Sequence, residues 1–272
     1  MNSGLANMEL EAMVADSTSS LWQRLASVTK SVSRIADRVR FPEDLSPRDV
    51  ETIKLVSPYT MTGKEILHAM MEGVRYVVKN KIPGDIVECG VWKGGSMMAA
   101  ARTLVEVGDF SRHLHLFDTF EGNPEPKPVD VNIMGESAVE KFRKAGSCGK
   151  VGSQWCVGTL DEVKRNMFSV GYDNSKIHFI QGKVEDTIPE NAPACISLLR
   201  LDTDFYESTR HELIHLFPRL SKHGVIVIDD YNWWAGVRKA VDEYLEEHGV
   251  PLFLQRVDRS GRIGTKTEKE TD

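Results

Sequence analysis

The chain reads as an α/β protein built on a doubly wound, mostly parallel seven-stranded sheet, with an N-terminal helical extension and an antiparallel C-terminal hairpin. Three observations predict this. From residue 83 onward, short Val, Ile and Leu runs bounded by turn residues alternate with amphipathic stretches, the pattern of strands buried on both faces. The first run, Asp85 to Cys89, leads through a glycine-rich turn, Gly90-Val-Trp-Lys-Gly-Gly-Ser96, into a helix. Two later runs end on acids: 196–201 on Asp202, and 224–228 on Asp229 and Asp230. Ligands of open α/β sheets bind beyond the carboxyl ends of the strands, so these three carboxylates are expected to converge on one cleft.

In chain order, residues 1–20 are mixed polar and small, and read as a loosely attached tail. Residues 21–82 form a helical segment. Within it Leu21, Leu25, Val28, Val32, Ile35 and Val39 repeat at spacings of four and three, a helix with a narrow apolar seam. Its basic remaining faces (Arg24, Lys30, Arg34, Arg38, Arg40) fit packing on its own domain or on a partner subunit better than a membrane surface. Ser46 before Pro47 caps the next helix, and Thr62-Gly-Lys-Glu65 reads as a capping box opening another, which Pro83-Gly84 ends.

Residues 83–272 are the main domain. Strands are expected at 85–89, 113–117, 176–180, 196–201 and 224–228, and helices at 97–104, 208–220 and 235–248. Thr159-Leu-Asp-Glu162 opens one more capped helix, and Pro251 to Val257 pairs with Arg262 to Lys266 through Asp258-Arg-Ser-Gly261 as a hairpin. The insertion 121–158 is rich in Gly, Pro and charge, and only 138–144 looks helical. So long an irregular stretch reads as a lid or binding loop.

Composition narrows the function. In 272 residues, 41% hydrophobic and 27% charged, a net charge of −6 argues against a nucleic-acid binder, which needs a basic footprint. No apolar run approaches the ~18 residues of a membrane span, and the N-terminus lacks a basic and apolar leader, so a cytoplasmic protein without stable membrane association is expected. The four cysteines, none in Cys-x-x-Cys spacing, read as free thiols.

Three close carboxylates repel one another, and the usual relief is a hard divalent cation with oxygen ligands, commonly Mg²⁺. The plainer alternative is that each Asp caps the following helix or turn. The glycine turn departs from nucleotide-binding patterns: Trp92 stands where a dinucleotide fold needs Gly, and no Gly-Lys-Ser/Thr follows. A cofactor with adenosine but no diphosphate, S-adenosylmethionine, fits better. Glu88 would take its ammonium, Ser96 and the turn amides of Gly90 and Val91 its carboxylate, and Asp118 its ribose hydroxyls.

Five blocks carry a resemblance: Pro83-Gly-Asp-Ile-Val-Glu-Cys-Gly-Val-Trp-Lys-Gly-Gly-Ser96, Leu116-Phe-Asp-Thr-Phe-Glu-Gly122, Gly182-Lys-Val-Glu-Asp-Thr-Ile-Pro189, Leu201-Asp-Thr-Asp-Phe-Tyr-Glu-Ser-Thr209 and Ile228-Asp-Asp-Tyr231. Over roughly residues 45–260 the chain resembles the macrocin O-methyltransferase family of Mg²⁺- and S-adenosylmethionine-dependent sugar methyltransferases. The resemblance implies a class I methyltransferase, Rossmann-like fold and a homo-oligomer acting on a small-molecule glycoside. It implies cofactor contacts at Glu88, Ser96 and Asp118, Asp186 near the adenine, and Asp202, Asp229 and Asp230 as metal ligands. Such chemistry is reasonable, because a sugar hydroxyl holds its proton at neutral pH. A Lewis acid lowers that pKa, and Asp202 is the candidate base.

Other readings compete. A catechol-type diol would chelate the same ion, and a noncatalytic cofactor-binding scaffold would use the same fold. His211-Glu-Leu-Ile-His215 spells a zinc-hydrolase motif, but it lies on a crossover helix without a third ligand at a recognisable spacing, so a solvent-facing pair is expected. Trp233 and Trp234 either line the cleft or pack the next helix, and Tyr206 is cleft lining or core edge. The basic amphipathic helix and Cys148, Trp155 and Cys156 in the insertion depart from the family pattern, and they bear on the identity of the acceptor rather than on the chemistry.

Overall fold

The computed structural model describes residues 41–250 and 252–267, so the expected tail and basic helix lie outside the described residues. The chain divides into two compact units, residues 1–50 and 51–272, and the second carries the sheet. Helix α1 (Pro47–Val56) begins as expected: Ser46 Oγ accepts from the Asp49 amide at 3.1 Å. Helix α2 (Lys64–Lys79) does not begin with the expected capping box. Gly63 is its N-cap, and the Thr62 hydroxyl instead accepts from Arg200 Nη2 at 2.7 Å. A buried guanidinium is the stronger donor, so it takes the oxygen the helix end would have used.

Strand β1 (Asp85–Cys89) is followed by α3 (Gly95–Val107) and β2 (Leu114–Asp118). The insertion holds α4 (Ala138–Ala145) and a two-stranded ribbon, β3 (Ser147–Cys148) with β4 (Gly152–Ser153). Then come α5 (Leu160–Phe168), β5 (Ile177–Gln181), α6 (Val184–Thr187) and β6 (Ile196–Leu201). The remainder is α7 (Tyr206–Leu216), β7 (Leu220–Ile228), α8 (Ala235–His248), β8 (Leu252–Arg256) and β9 (Arg262–Lys266). Thr159 caps α5 by accepting from the Glu162 amide at 3.3 Å, as its sequence announced.

The sheet has seven strands in the order β5-β2-β1-β6-β7-β9-β8, parallel from β5 to β7 and antiparallel beyond. The chain winds outward from β1 to β2 and β5, then returns to lay β6 on the other side of β1. Strand order therefore reverses between β1 and β6, the place where such sheets open a crevice for ligands. Every residue of β6 is buried, and Val87, Leu199, Ile226 and Leu201 join helix residues Leu213, Val237 and Val241 in one core. Burying side chains of this size contributes about 1.5–3 kcal/mol each.

The insertion is more ordered than its composition announced. Asp130 is fully buried, its carboxylate accepting from the amides of Lys127 at 2.8 Å and Tyr206 at 2.9 Å. The Asn123 amide bonds the Trp155 carbonyl at 2.9 Å, and that of Ile133 bonds the Trp233 carbonyl at 3.0 Å. Side-chain carboxylates and single bridges do here what ladders do elsewhere, and the regular pieces are too short to show periodicity. Among the described residues no helix is long and apolar enough to cross a membrane.

Candidate active site

The ends of β1, β6 and β7 lie level: Cys89 pairs with Leu201, and Leu201 with Ile228. The pairing continues one step past the strands, since the Asp202 amide donates to the Cys89 carbonyl and the Asp229 amide to the Leu201 carbonyl, both at 2.9 Å. Gly90 permits this. Its φ is +83°, and a Cβ there would lie 2.0 Å from the Asp202 carbonyl oxygen. Asp230, at φ +53°, follows in the left-handed region that non-glycine residues rarely adopt. The result is that Asp202, Asp229 and Asp230 each bring a ligand oxygen within 4.8 Å of the others.

Two of these acids, Asp202 and Asp229, are organised by a residue that the sequence did not single out. Arg200, 1% exposed in β6, donates from Nη1 to Glu88 Oε1 at 2.6 Å and to Asp202 Oδ2 at 2.7 Å. From Nη2 it donates to Thr62 Oγ1 at 2.7 Å and to Asp229 Oδ2 at 2.5 Å. The signal was one charge inside an otherwise apolar run. A buried Arg needs carboxylates at its fork, and acids stand at the neighbouring strand ends.

Electrostatics show how short of positive charge the site is. Burial pushes the Asp202 carboxyl well above the usual range; Arg200 opposes the shift, and Asp229 and Asp204 add to it. Burial also raises Asp230 strongly, with Asp204, Asp229 and Asp202 adding to it. Glu88 is pushed by burial up to about 7 against the pull of Arg200. Desolvation works against the charge of Arg200 itself, but Asp202, Glu88 and Asp229 outweigh it and raise its pKa.

A cavity of about 420 Å³ opens here, lined by Gly90, Asp118, Asp202, Asp229 and Asp230 among the expected residues. Asp204, not anticipated, lines it too, held by Asn123 Nδ2 at 2.6 Å and Trp234 Nε1 at 3.1 Å. The other expected residues do not line it. Glu88 faces Arg200, and its Oε2 is buried with no hydrogen-bond partner among the described residues. The Val91 amide is already bonded to Asp118 Oδ2 at 2.6 Å, and the Trp92 amide to the same oxygen at 3.1 Å. Asp118 Oδ1 accepts from the Phe120 amide at 2.7 Å, so this carboxylate ties the glycine turn to the end of β2. Burial raises its pKa while those amides lower it. Ser96 Oγ in the first turn of α3 lies 3.3 Å from the hydroxyls of both Thr60 and Thr62. Asp186 is exposed on α6, where Lys183, Val184 and Glu185 line the cavity instead.

The donor set can be tested against the groups expected there. Three carboxylates at one point, all oxygen, suit a hard divalent cation rather than zinc. The unpaired Glu88 Oε2 suits an ammonium group. Trp155 also lines the cavity and packs 5.7 Å from Phe205 and 5.9 Å from Trp234, with Lys141 Nζ 4.0 Å over its ring. Trp233 and Trp234 both line the cavity, and Trp234 is also 3% exposed, so it serves packing and lining together.

The zinc-like motif resolves differently from expectation. His211 and His215 are half-buried rather than solvent-facing, and His211 Nε2 is 3.0 Å from the Ile188 carbonyl oxygen. Glu212 is fully buried and accepts from Thr203 Oγ1 at 2.9 Å; burial raises its pKa well above the usual range. Among the described residues no third ligand joins this pair. His211→Ala and His215→Ala are therefore expected to keep turnover within about twofold and to cost at most about 0.5–1.5 kcal/mol. Stoichiometric zinc by atomic emission, lost in either variant, would contradict this reading.

The chain matches the macrocin-O-methyltransferase (TylF) family over residues 8–264. It is similar to the 8-demethyl-8-(2,3-dimethoxy-alpha-L-rhamnosyl)-tetracenomycin-C 4'-O-methyltransferase of Streptomyces olivaceus, with 32% identity over 203 residues covering 75% of this chain and 74% of that one. Similarity to the mycinamicin III 3''-O-methyltransferase of Micromonospora griseorubida is 30% over 203 residues, covering 75% and 76%. Among solved structures, the O-methyltransferase NovP superposes with a TM-score of 0.66 at 29% identity, covering 77% of this chain and 83% of that one.

Proposed function

The chain belongs to the macrocin O-methyltransferase family and is an S-adenosylmethionine-dependent O-methyltransferase, and from that premise we propose that it methylates one hydroxyl of a sugar diol in a glycosylated natural product. In this reading Asp202, Asp229 and Asp230 hold Mg²⁺. The observation that carries it is the convergence of those three carboxylates within 4.8 Å at the wall of a cavity that Gly90 and Asp118 also line. The rhamnosyl group in the name of the Streptomyces olivaceus relative favours a sugar acceptor.

When bound, the cofactor supplies a methyl group on an electrophilic sulfonium and Mg²⁺ supplies Lewis acidity that lowers a hydroxyl's pKa. The chain's own groups do the rest. Asp202 accepts the hydroxyl proton: burial raises its proton affinity, and Arg200 fixes its Oδ2 at 2.7 Å so that the carboxylate cannot rotate away. Glu88 Oε2 takes the cofactor ammonium, with Ser96 and the first turn of α3 toward its carboxylate. Asp118 holds the turn and offers its remaining lone pairs to the ribose. Trp155, Trp233 and Trp234 present apolar faces to the sugar and its aglycone and keep water from the reacting oxygen.

The test is product identification. The enzyme is incubated with methyl-labelled cofactor and two acceptor sets, rhamnosides of aromatic aglycones and simple catechols, with and without EDTA. Labelled methyl on a sugar oxygen, lost in EDTA and regained with Mg²⁺, is the expected result. Methylation of catechols alone would favour the small-molecule diol reading, and full transfer in EDTA would remove the metal.

A further inference from the structure

Thr62, just before α2, touches residues of both the proposed cofactor site and the acid cluster. Thr62 Oγ1 accepts from Arg200 Nη2 at 2.7 Å, lies 3.3 Å from Ser96 Oγ, and donates to Asp229 Oδ2 at 3.5 Å. The Thr62 amide is held in turn by Thr60 Oγ1 at 3.0 Å. The loop comes this close because Gly95 has no side chain: a Cβ there would lie 2.6 Å from the Tyr59 carbonyl carbon and 2.7 Å from Thr60 Cβ. A loop outside the sheet is thus seated on the first turn of α3, with one hydroxyl reaching the guanidinium.

That hydroxyl matters for how the guanidinium pairs. Each terminal nitrogen has two hydrogens. On Nη1 they go to Glu88 and Asp202, and on Nη2 to Thr62 and Asp229. Arg200 therefore holds only Oδ2 of Asp202 and only Oδ2 of Asp229, although an arginine left to itself favours bidentate pairing with one carboxylate. Glu88 and Thr62 occupy the second hydrogen of each terminal nitrogen, and Nε, the remaining donor, is buried without a hydrogen-bond partner among the described residues.

We propose that Thr62 is a positioning residue for the acid triad: its hydroxyl keeps the Arg200 fork monodentate, so that Asp202 and Asp229 each keep their second oxygen free of the guanidinium and available to a divalent cation. The inference rests on the metal reading given above. Without the hydroxyl, one Nη2 hydrogen joins that of Nε as buried and unpaired. The fork then rotates to satisfy it on a carboxylate oxygen that the cation needs, with no change in the charge of the site.

The test uses Mn²⁺ as a paramagnetic probe, titrated into the full-length protein and followed by the loss of the free-ion signal. Thr62→Val is expected to bind Mn²⁺ about tenfold more weakly, and Thr62→Ser, which keeps the hydroxyl, within about twofold of the parent. S-adenosylhomocysteine affinity should fall by less than about threefold in either, so that a tenfold loss confined to Mn²⁺ separates the metal role from the contact with Ser96. In turnover, the Mg²⁺ concentration for half-maximal rate should rise by the same factor in the Val variant and return in the Ser variant. Thr62→Ala replaces the Val variant should the latter not fold. If the parent protein binds no Mn²⁺, the metal reading falls and this inference with it. If the parent binds and the hydroxyl-free variant binds equally well, or the Ser variant is as weak as the Val variant, the metal reading stands and the role of Thr62 is overturned.

Discussion

Asp202→Asn is expected to lower kcat by about 10²–10⁴-fold with the fold intact. Asn has the same shape, and its carbonyl oxygen still accepts from Arg200 Nη1, the partner Asp202 has at 2.7 Å. What it loses is the ability to take a proton and one negative charge among the proposed ligands. Because Glu88, Ser96 and Asp118 lie on other elements, S-adenosylhomocysteine affinity by calorimetry should remain close to that of the parent. The decisive measurement is single-turnover methyl transfer at saturating Mg²⁺ and cofactor. A rate within tenfold of the parent would remove Asp202 from the role of base.

The second large effect is on stability. Arg200→Met takes away the guanidinium that pairs with Glu88, Asp202 and Asp229, leaving buried carboxylates without compensation, a change that typically costs about 3–5 kcal/mol. The sign of its pH dependence follows from Glu88, whose pKa is already raised to about 7 with Arg200 present and rises further without it. A carboxyl with a raised folded pKa binds more protons folded than unfolded. The part of the penalty that Glu88 contributes is therefore small at pH 5, where the group is protonated with or without Arg200, sets in as pH rises through about 7, and is larger at pH 8. Urea unfolding at those two pH values measures it, and added Mg²⁺ should return part of the loss at pH 8. A loss below about 1 kcal/mol at pH 8 would show that Arg200 is not the counter-charge of this cluster.

These expectations lean on residues of unequal visibility. The strands, the Thr159 cap, the C-terminal hairpin and the acids at two strand ends were legible because each is a local pattern: an apolar run, an oxygen three residues before a free amide, a polar residue closing a buried strand. Asp229 and Asp230 could be read from seven consecutive letters. The Thr62 box was misread because the local rule offered its hydroxyl a helix amide while a stronger donor waited 138 residues away. The His pair was misplaced for a similar reason, since only the packed fold supplies the Ile188 carbonyl that occupies His211. The insertion stayed opaque because its order depends on single bonds from Asp130 and Asn123 to distant segments.

By itself the sequence determined the kind of each strand of the main sheet and of the longer helices, the order in which they alternate, and that three carboxylates stand at strand ends. It could do so because backbone period and burial are set by neighbours within a few positions. Only the tertiary structure decided which charge meets which. Arg200 finds Glu88 across 112 residues because β1 and β6 run side by side in a register that places the two opposite each other. Asp204, which lines the cavity just beyond β6, is held there by donors from Asn123 and Trp234. Partner choice of this kind depends on strand register and on close approaches such as the one Gly90 allows, and neither has a local signature in the chain.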